Sequence, residues 1–91
     1  MDDNDTKKIS NRFVRASGQV QGVGKMLNEG RYCVDVIRQI RAAKSALAAL
    51  ESVILERHLH TCVREAFAAS DSLQSEAKID ELLKLFREAA K

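Results

Sequence analysis

The chain has 91 residues, of which 45% are hydrophobic and only 4% aromatic, and it contains no proline or tryptophan. This length allows one small domain with a thin core, which favours oligomerisation as a source of stability. Abundant Ala, Leu, Lys, Arg and Glu predict long helices and argue against a β-rich fold. No apolar run approaches the roughly 20 residues that span a bilayer, and the N-terminus has no signal-peptide pattern. We therefore expect a cytoplasmic protein, outside the membrane, with reduced cysteines.

The net charge of +2 conceals an uneven distribution along the chain. Nine basic and two acidic residues lie between positions 7 and 44, whereas six basic and eight acidic residues follow from position 45 to the end. A basic front half is typical of a surface that binds a polyanion such as nucleic acid, but solvated helix faces produce similar runs. Charge alone leaves both interpretations open.

Apolar residues at steps of four and three predict a first helix over about residues 6–29. Gly30 is expected to end it. Gly18, Gly22 and Gly24 each weaken such a helix by roughly 1 kcal/mol relative to Ala, so they indicate close packing against another helix. They do not follow a strand, which argues against a nucleotide-binding loop.

Heptad spacing predicts a second, long helix over about residues 32–69, with small residues at its centre. Ser70, Asp71 and Ser72 are typical of a break, and a third helix is predicted over about residues 74–90. The apolar positions that carry the second prediction are Val36, Ile40, Ala43, Leu47, Leu50 and Ile54.

Cys33, His58 and Cys62 share one helical azimuth to within about 20°, since each residue turns the helix by roughly 100°. Along one straight helix, however, Cys33 and His58 are roughly 37 Å apart. Two antiparallel chains related by a two-fold axis near Ala46 and Leu47 remove this separation. Cys33 of one chain then meets His58 and Cys62 of the other.

Two sulfur atoms and one nitrogen form a soft ligand set that favours three-coordinate Cu(I), whereas Zn(II) usually takes a fourth ligand. The alternative is that the cysteines are small packing residues and His58 an interfacial histidine. His60 points to the opposite side of the helix and is left out. Tyr32 and Glu81 are candidates to support the ligands, or simply a helix-start packing residue and a solvated one. No set of residues suggests catalysis, so we expect a non-enzyme.

Three segments carry a family resemblance: GQVQGV at 18–23, GRYCVDVIRQI at 30–40 and HLHTCV at 58–63. Together they resemble the copper-sensitive operon repressors of the CsoR/RcnR family over nearly the whole chain. The resemblance implies an all-α, three-helix protomer with one long central helix, an antiparallel four-helix-bundle dimer, and a homotetramer built as a dimer of dimers. It also implies a repressor that binds operator DNA when metal-free and is released when Cu(I) binds.

By the same resemblance, the Cu(I) ligands are Cys33, His58 and Cys62, and Tyr32 and Glu81 support them. Nickel- and cobalt-sensing members commonly use an N-terminal histidine, and this chain has none before position 58. Formaldehyde-sensing relatives lack the second cysteine, and persulfide-sensing relatives lack the histidine. This chain has all three residues.

For DNA, the family's basic position early in the first helix corresponds to Arg12, with Arg15 one turn later. Some members carry arginines where this chain has Ala49 and Ser52, and nearby basic residues of the long helix are expected to compensate: Arg38, Arg41 and Lys44. Two other functions remain open, a repressor that senses thiol oxidants or persulfide and a copper-buffering bundle without a DNA role.

Overall fold

The computed structural model describes residues 3–68 and 72–89, and the secondary-structure elements among them are all helical. Helix α1 spans Asp3–Asn28 and helix α2 spans Cys33–His58. A π-helical turn, Leu59–Val63, leads into the short helix α3, Arg64–Ala68. Helix α4 spans Ser72–Ala89. The all-α fold predicted from the sequence is confirmed.

The helix boundaries differ from the predicted ones in two informative places. Helix α1 begins at Asp3. The carboxylates of Asp3 and Asp5 lie in its first turn, where they interact favourably with the positive end of the helix dipole. The long second helix is interrupted, because the π-helical turn separates α2 from α3. Of the predicted break, Ser70 and Asp71 lie outside the described residues, whereas Ser72 is already the first residue of α4.

A tight glycine turn joins α1 to α2. The Gly30 N–H bonds to the Leu27 carbonyl at 3.2 Å, and the Arg31 N–H bonds to the Met26 carbonyl at 3.0 Å. This bond pair forms a Schellman motif, and Gly30 takes the left-handed position that the motif requires, with φ of 63°. The next helix starts almost at once, because the Tyr32 carbonyl accepts the Val36 N–H at 3.1 Å.

The chain divides into two compact units, Met1–Leu55 and Glu56–Lys91. In the first unit, the α1–α2 hairpin buries a row of small or β-branched residues, which lets the two helices approach closely. We call this row the inward seam; its buried members are Ala16 on α1 and Val36, Ala43, Ala46 and Val53 on α2.

Larger apolar residues of the same unit lie on a second row, which is exposed. Phe13 is 59% exposed and Leu47 is 49% exposed. We call this row the outward seam; its members are Phe13, Val20 and Leu27 on α1 and Ile37, Ile40, Leu47 and Ile54 on α2. The steps of seven between 13, 20 and 27 and between 40, 47 and 54 are those of a helix-packing stripe.

In the second unit, α3 and α4 pack against each other and against the π-helical turn. Helix α4 exposes Ile79, Leu83 and Phe86 at steps of four and three. Among the described helices, none is long and apolar enough to cross a bilayer.

Candidate metal centre and nucleic-acid surface

Cys33 is the first residue of α2, and its free thiol is exposed. It directly follows Tyr32, whose carbonyl accepts the first hydrogen bond of the helix. Steps of four and three connect Cys33 to Ile37 and Ile40, so Cys33 continues the outward seam to the start of the helix. The helix dipole favours negative charge at this position, which suits a thiolate ligand.

His58 is the last residue of α2 and is half-buried. A step of four connects it to Ile54, so it extends the outward seam to the other end of the helix. Cys33 and His58 therefore begin and end one stripe of α2, the stripe that the hairpin leaves exposed.

Cys62 belongs to the π-helical turn, which begins directly after His58. The structure describes the backbone of Cys62 but not its side chain. π-helical turns are rare in proteins, and those that occur often lie at functional sites. The sequence reasoning missed this feature. Thr61 is the local signal, because its hydroxyl donates to the Arg57 carbonyl at 2.8 Å and so competes with the helical N–H for that acceptor.

The two predicted supporting residues lie in different surroundings. Tyr32 adjoins Cys33 and is 69% exposed. Glu81 is exposed on α4 and forms an ion pair with Lys78, with 3.8 Å between the Glu81 Oε2 and the Lys78 Nζ. Within the described part of one chain, no three His, Cys, Asp or Glu residues are grouped so that they could hold a metal ion.

Four polar residues of α1 line one surface groove: Lys8, Asn11, Arg12 and Arg15. Arg12 and Arg15 were predicted for DNA, whereas Lys8 and Asn11 were not, although the steps between 8, 11 and 15 place them on one side of the helix. Three cations and an amide in one groove form a surface suited to phosphate.

The predicted basic residues of α2 are exposed, but they do not share one side of the helix. Arg38 and Arg41 are three residues apart and lie off the outward seam, both to the same side of it. Lys44 lies on the seam itself, four residues after Ile40 and three before Leu47.

A polar contact ties α1 to α2 near the middle of the hairpin. The Gln39 Nε2 donates to the main-chain oxygen of Gln19 at 3.0 Å and to its Oε1 at 2.6 Å. A Cβ atom at Gly22 would lie 3.0 Å from the Gln39 Nε2. We call this group the glutamine clasp, formed by Gln19, Gly22 and Gln39. The sequence predicts close approach at three glycines; among the described residues Gly22 shows it, whereas a Cβ at Gly18 or Gly24 would meet no atom within 4 Å.

Comparison with known proteins agrees with these observations. The sequence profile of the metal-sensitive transcriptional repressors matches residues 5–88. The chain is 39% identical to the copper-sensing transcriptional repressor CsoR of Bacillus subtilis over 84 residues, which cover 92% of this chain and 80% of that protein. It is 44% identical to the copper-sensing transcriptional repressor RicR of Mycobacterium tuberculosis over 57 residues, 63% of this chain and 59% of that protein.

A solved structure is also similar. The copper-sensing repressor CsoR with Cu(I) from Geobacillus thermodenitrificans superposes with a TM-score of 0.84 at 34% identity, covering 100% of this chain and 92% of that chain. The family resemblance of the segments GRYCVDVIRQI and HLHTCV is confirmed. The expectation of a non-enzyme agrees with a family of repressors. The chain belongs to the family of metal-sensitive transcriptional repressors.

Proposed function

We propose that this protein is a Cu(I)-responsive transcriptional repressor that binds operator DNA when metal-free and is released when Cu(I) binds. The observation that carries the proposal is the outward seam of α2, which starts at Cys33 and ends at His58. The relatives named as copper-sensing repressors support the same function. A repressor that binds operator DNA acts where the chromosome is, so we propose a cytoplasmic location.

The donor set fits Cu(I) by its chemistry. Cys33, His58 and Cys62 offer two thiolates and one imidazole, and soft ligands in a set of three suit Cu(I). When bound, the ion supplies a bridge between residues that are distant along the chain. Tyr32 and Glu81 are proposed to orient the ligands, Tyr32 from the residue next to Cys33 and Glu81 from α4.

The site is proposed to form between two chains. In an antiparallel pair of α2 helices with Leu47 near the two-fold axis, Ile40 faces Ile54 of the partner subunit. The same register sets Cys33 opposite His58 and Cys62 of the partner subunit, which gives two equivalent sites per dimer. The exposed apolar stripe supports this pairing, because monomeric proteins rarely leave such a continuous apolar surface in water. Two such dimers are proposed to form the homotetramer.

The DNA surface is proposed to include the groove on α1, with Arg12 and Arg15, together with Arg38 and Arg41 on α2. These side chains suit phosphate contacts, so operator affinity should fall steeply with salt and depend partly on DNA shape. For Lys44 a DNA role stays a prediction. It competes with an interface role, since the proposed register also sets Lys44 opposite Glu51 of the partner subunit.

Release of DNA requires that Cu(I) and operator binding oppose each other. This coupling is reciprocal, so Cu(I) weakens DNA binding by the factor by which DNA weakens Cu(I) binding. A tenfold effect corresponds to about 1.4 kcal/mol.

An anaerobic titration of the reduced protein with Cu(I) tests the proposal. Thiolate-to-copper absorption and release of a labelled upstream DNA fragment are followed together, and both should saturate near one Cu(I) per protomer. His58→Ala should abolish the response, whereas His60→Ala, on the opposite side of the helix, is the matched control and should keep it. Binding of copper without release would contradict the repressor mechanism and favour a sulfur-species inducer or a copper-buffering role.

A further inference from the structure

The glutamine clasp connects the two helices that carry the proposed metal and DNA residues. We infer that Gln39 is a positioning residue that transmits the state of the metal end of α2 to the DNA-facing part of α1. The inference rests on the proposed function and deepens it, because it identifies residues through which the two sites communicate.

The geometry of the clasp fixes α2 to the backbone of α1. The amide nitrogen of Gln39 donates both to the main-chain oxygen and to the side-chain oxygen of Gln19, at 3.0 Å and 2.6 Å. Both N–H groups of the amide thus have an acceptor on one residue. Since a helical carbonyl cannot move independently of its helix, α1 cannot slide along α2 without breaking these bonds.

Position along the helices places the clasp between the two sites. Gln39 is six residues from Cys33 on α2, about 9 Å at 1.5 Å per residue, and Gln19 is seven residues from Arg12 on α1, about 10 Å. Arg12 and Gln19 both lie on the side of α1 that carries buried Ala16. A movement of the first turns of α2 on ligation therefore reaches Arg12 through the clasp.

Packing around the clasp explains why a polar contact is suited to this task. The buried members of the inward seam are Ala and Val, whose small side chains allow more than one register of two packed helices. A hydrogen-bonded polar residue within such a seam selects one register, as buried polar residues do in coiled coils. Gly22 is part of the device, because any Cβ there would press on the Gln39 amide.

Two substitutions and one matched control test the inference. Gln39→Leu removes both N–H donors and introduces an apolar side chain of similar size. Gly22→Ala adds a methyl group 3.0 Å from the Gln39 Nε2, whereas Gly18→Ala adds the same methyl group in open space. Both glycine substitutions raise helix propensity equally, so a difference between them isolates the clasp. Circular dichroism checks that each variant is folded.

The measured quantity is the coupling factor, the ratio of operator Kd with and without Cu(I). We expect the coupling factor of the unsubstituted protein to be about 5- to 150-fold, the range typical of allosteric proteins. Gln39→Leu and Gly22→Ala should each lower that factor about fivefold or more, with Gly18→Ala unchanged and Cu(I) stoichiometry unchanged in all three.

A second measurement is independent of DNA. The side-chain amide resonance of Gln39 in ¹⁵N-labelled protein, assigned by its loss in Gln39→Leu, should shift when Cu(I) is added. An unshifted resonance, a coupling factor equal to that of the unsubstituted protein in Gln39→Leu, or equal losses in Gly22→Ala and Gly18→Ala would each overturn the inference. Absence of any Cu(I)-dependent release from the unsubstituted protein is a different result, since it overturns the proposed function itself.

Discussion

The inward and outward seams of the α1–α2 hairpin differ in residue size and in exposure. The inward seam buries Ala16, Ala43 and Ala46, whereas the outward seam leaves Phe13 and Leu47 about half exposed. Small residues allow close approach of the two helices within one chain, but they bury little apolar area. The large residues lie where the described part of this chain leaves them about half exposed. The difference supports the proposal that the hairpin is half of a larger bundle, with Cys33 and His58, at the two ends of this stripe, on the surface between the halves.

Removing the thiol at the start of the outward seam should have the largest effect. Cys33→Ala takes away one of three proposed ligands, so Cu(I) affinity should fall by more than the roughly 10- to 100-fold typical of lost supporting contacts. Competition with a Cu(I) chelator measures the affinity. Operator binding by the metal-free protein should be retained, because Cys33 lies outside the basic groove. Full copper response in this variant would rule out the proposed site.

A charge in the middle of the outward seam should separate the two halves. Leu47→Glu places two carboxylates near the proposed two-fold axis, where an unpaired buried charge costs about 3–5 kcal/mol. We expect the dimer Kd, measured by analytical ultracentrifugation, to rise by roughly 100-fold or more. Ser45→Glu is the control, because Ser45 is exposed and lies on the side of α2 away from Leu47. An unchanged dimer in Leu47→Glu would mean that the halves associate through another surface.

A smaller effect is expected from the charged positions of the seam. If Lys44 faces Glu51 of the partner subunit, Lys44→Glu should weaken the dimer and the double variant with Glu51→Lys should restore it. Exposed ion pairs contribute about 0.2–1 kcal/mol each, so the change in the free energy of dimer dissociation is modest, and a double-mutant cycle is required to measure it. Loss of operator affinity that Glu51→Lys fails to restore would instead assign Lys44 to DNA.

The sequence predicted the helices and the common azimuth of Cys33 and His58, because both depend on spacing alone. Spacing also showed one apolar face on each helix, which the structure divides into two. Val36 and Ala43 lie inward, whereas Ile40 and Leu47 lie outward. Which residues belong to which seam depends on how α1 packs against α2, and periodicity does not contain that information.

The features that the sequence did not predict arise from specific hydrogen bonds. The π-helical turn involves a side-chain bond from Thr61, and the clasp requires Gln39 to meet Gln19 across twenty residues of chain. Both residues are compatible with many other environments, since Thr and Gln bond to whichever partner the fold brings near. The side chain of Cys62 lies outside the description, so its role as a ligand stays a prediction.

The measurement that tests the central claim most directly is complementation between two inactive protomers. One carries Cys33→Ala and the other carries both His58→Ala and Cys62→Ala, and the two are unfolded together, refolded and titrated with Cu(I). Random pairing makes about half of the dimers mixed, each with one complete site, so roughly one quarter of the unsubstituted copper capacity should return. Each protomer alone should bind none. No recovery in the mixture, with mixed dimers verified by mass spectrometry, would contradict a site shared between two chains.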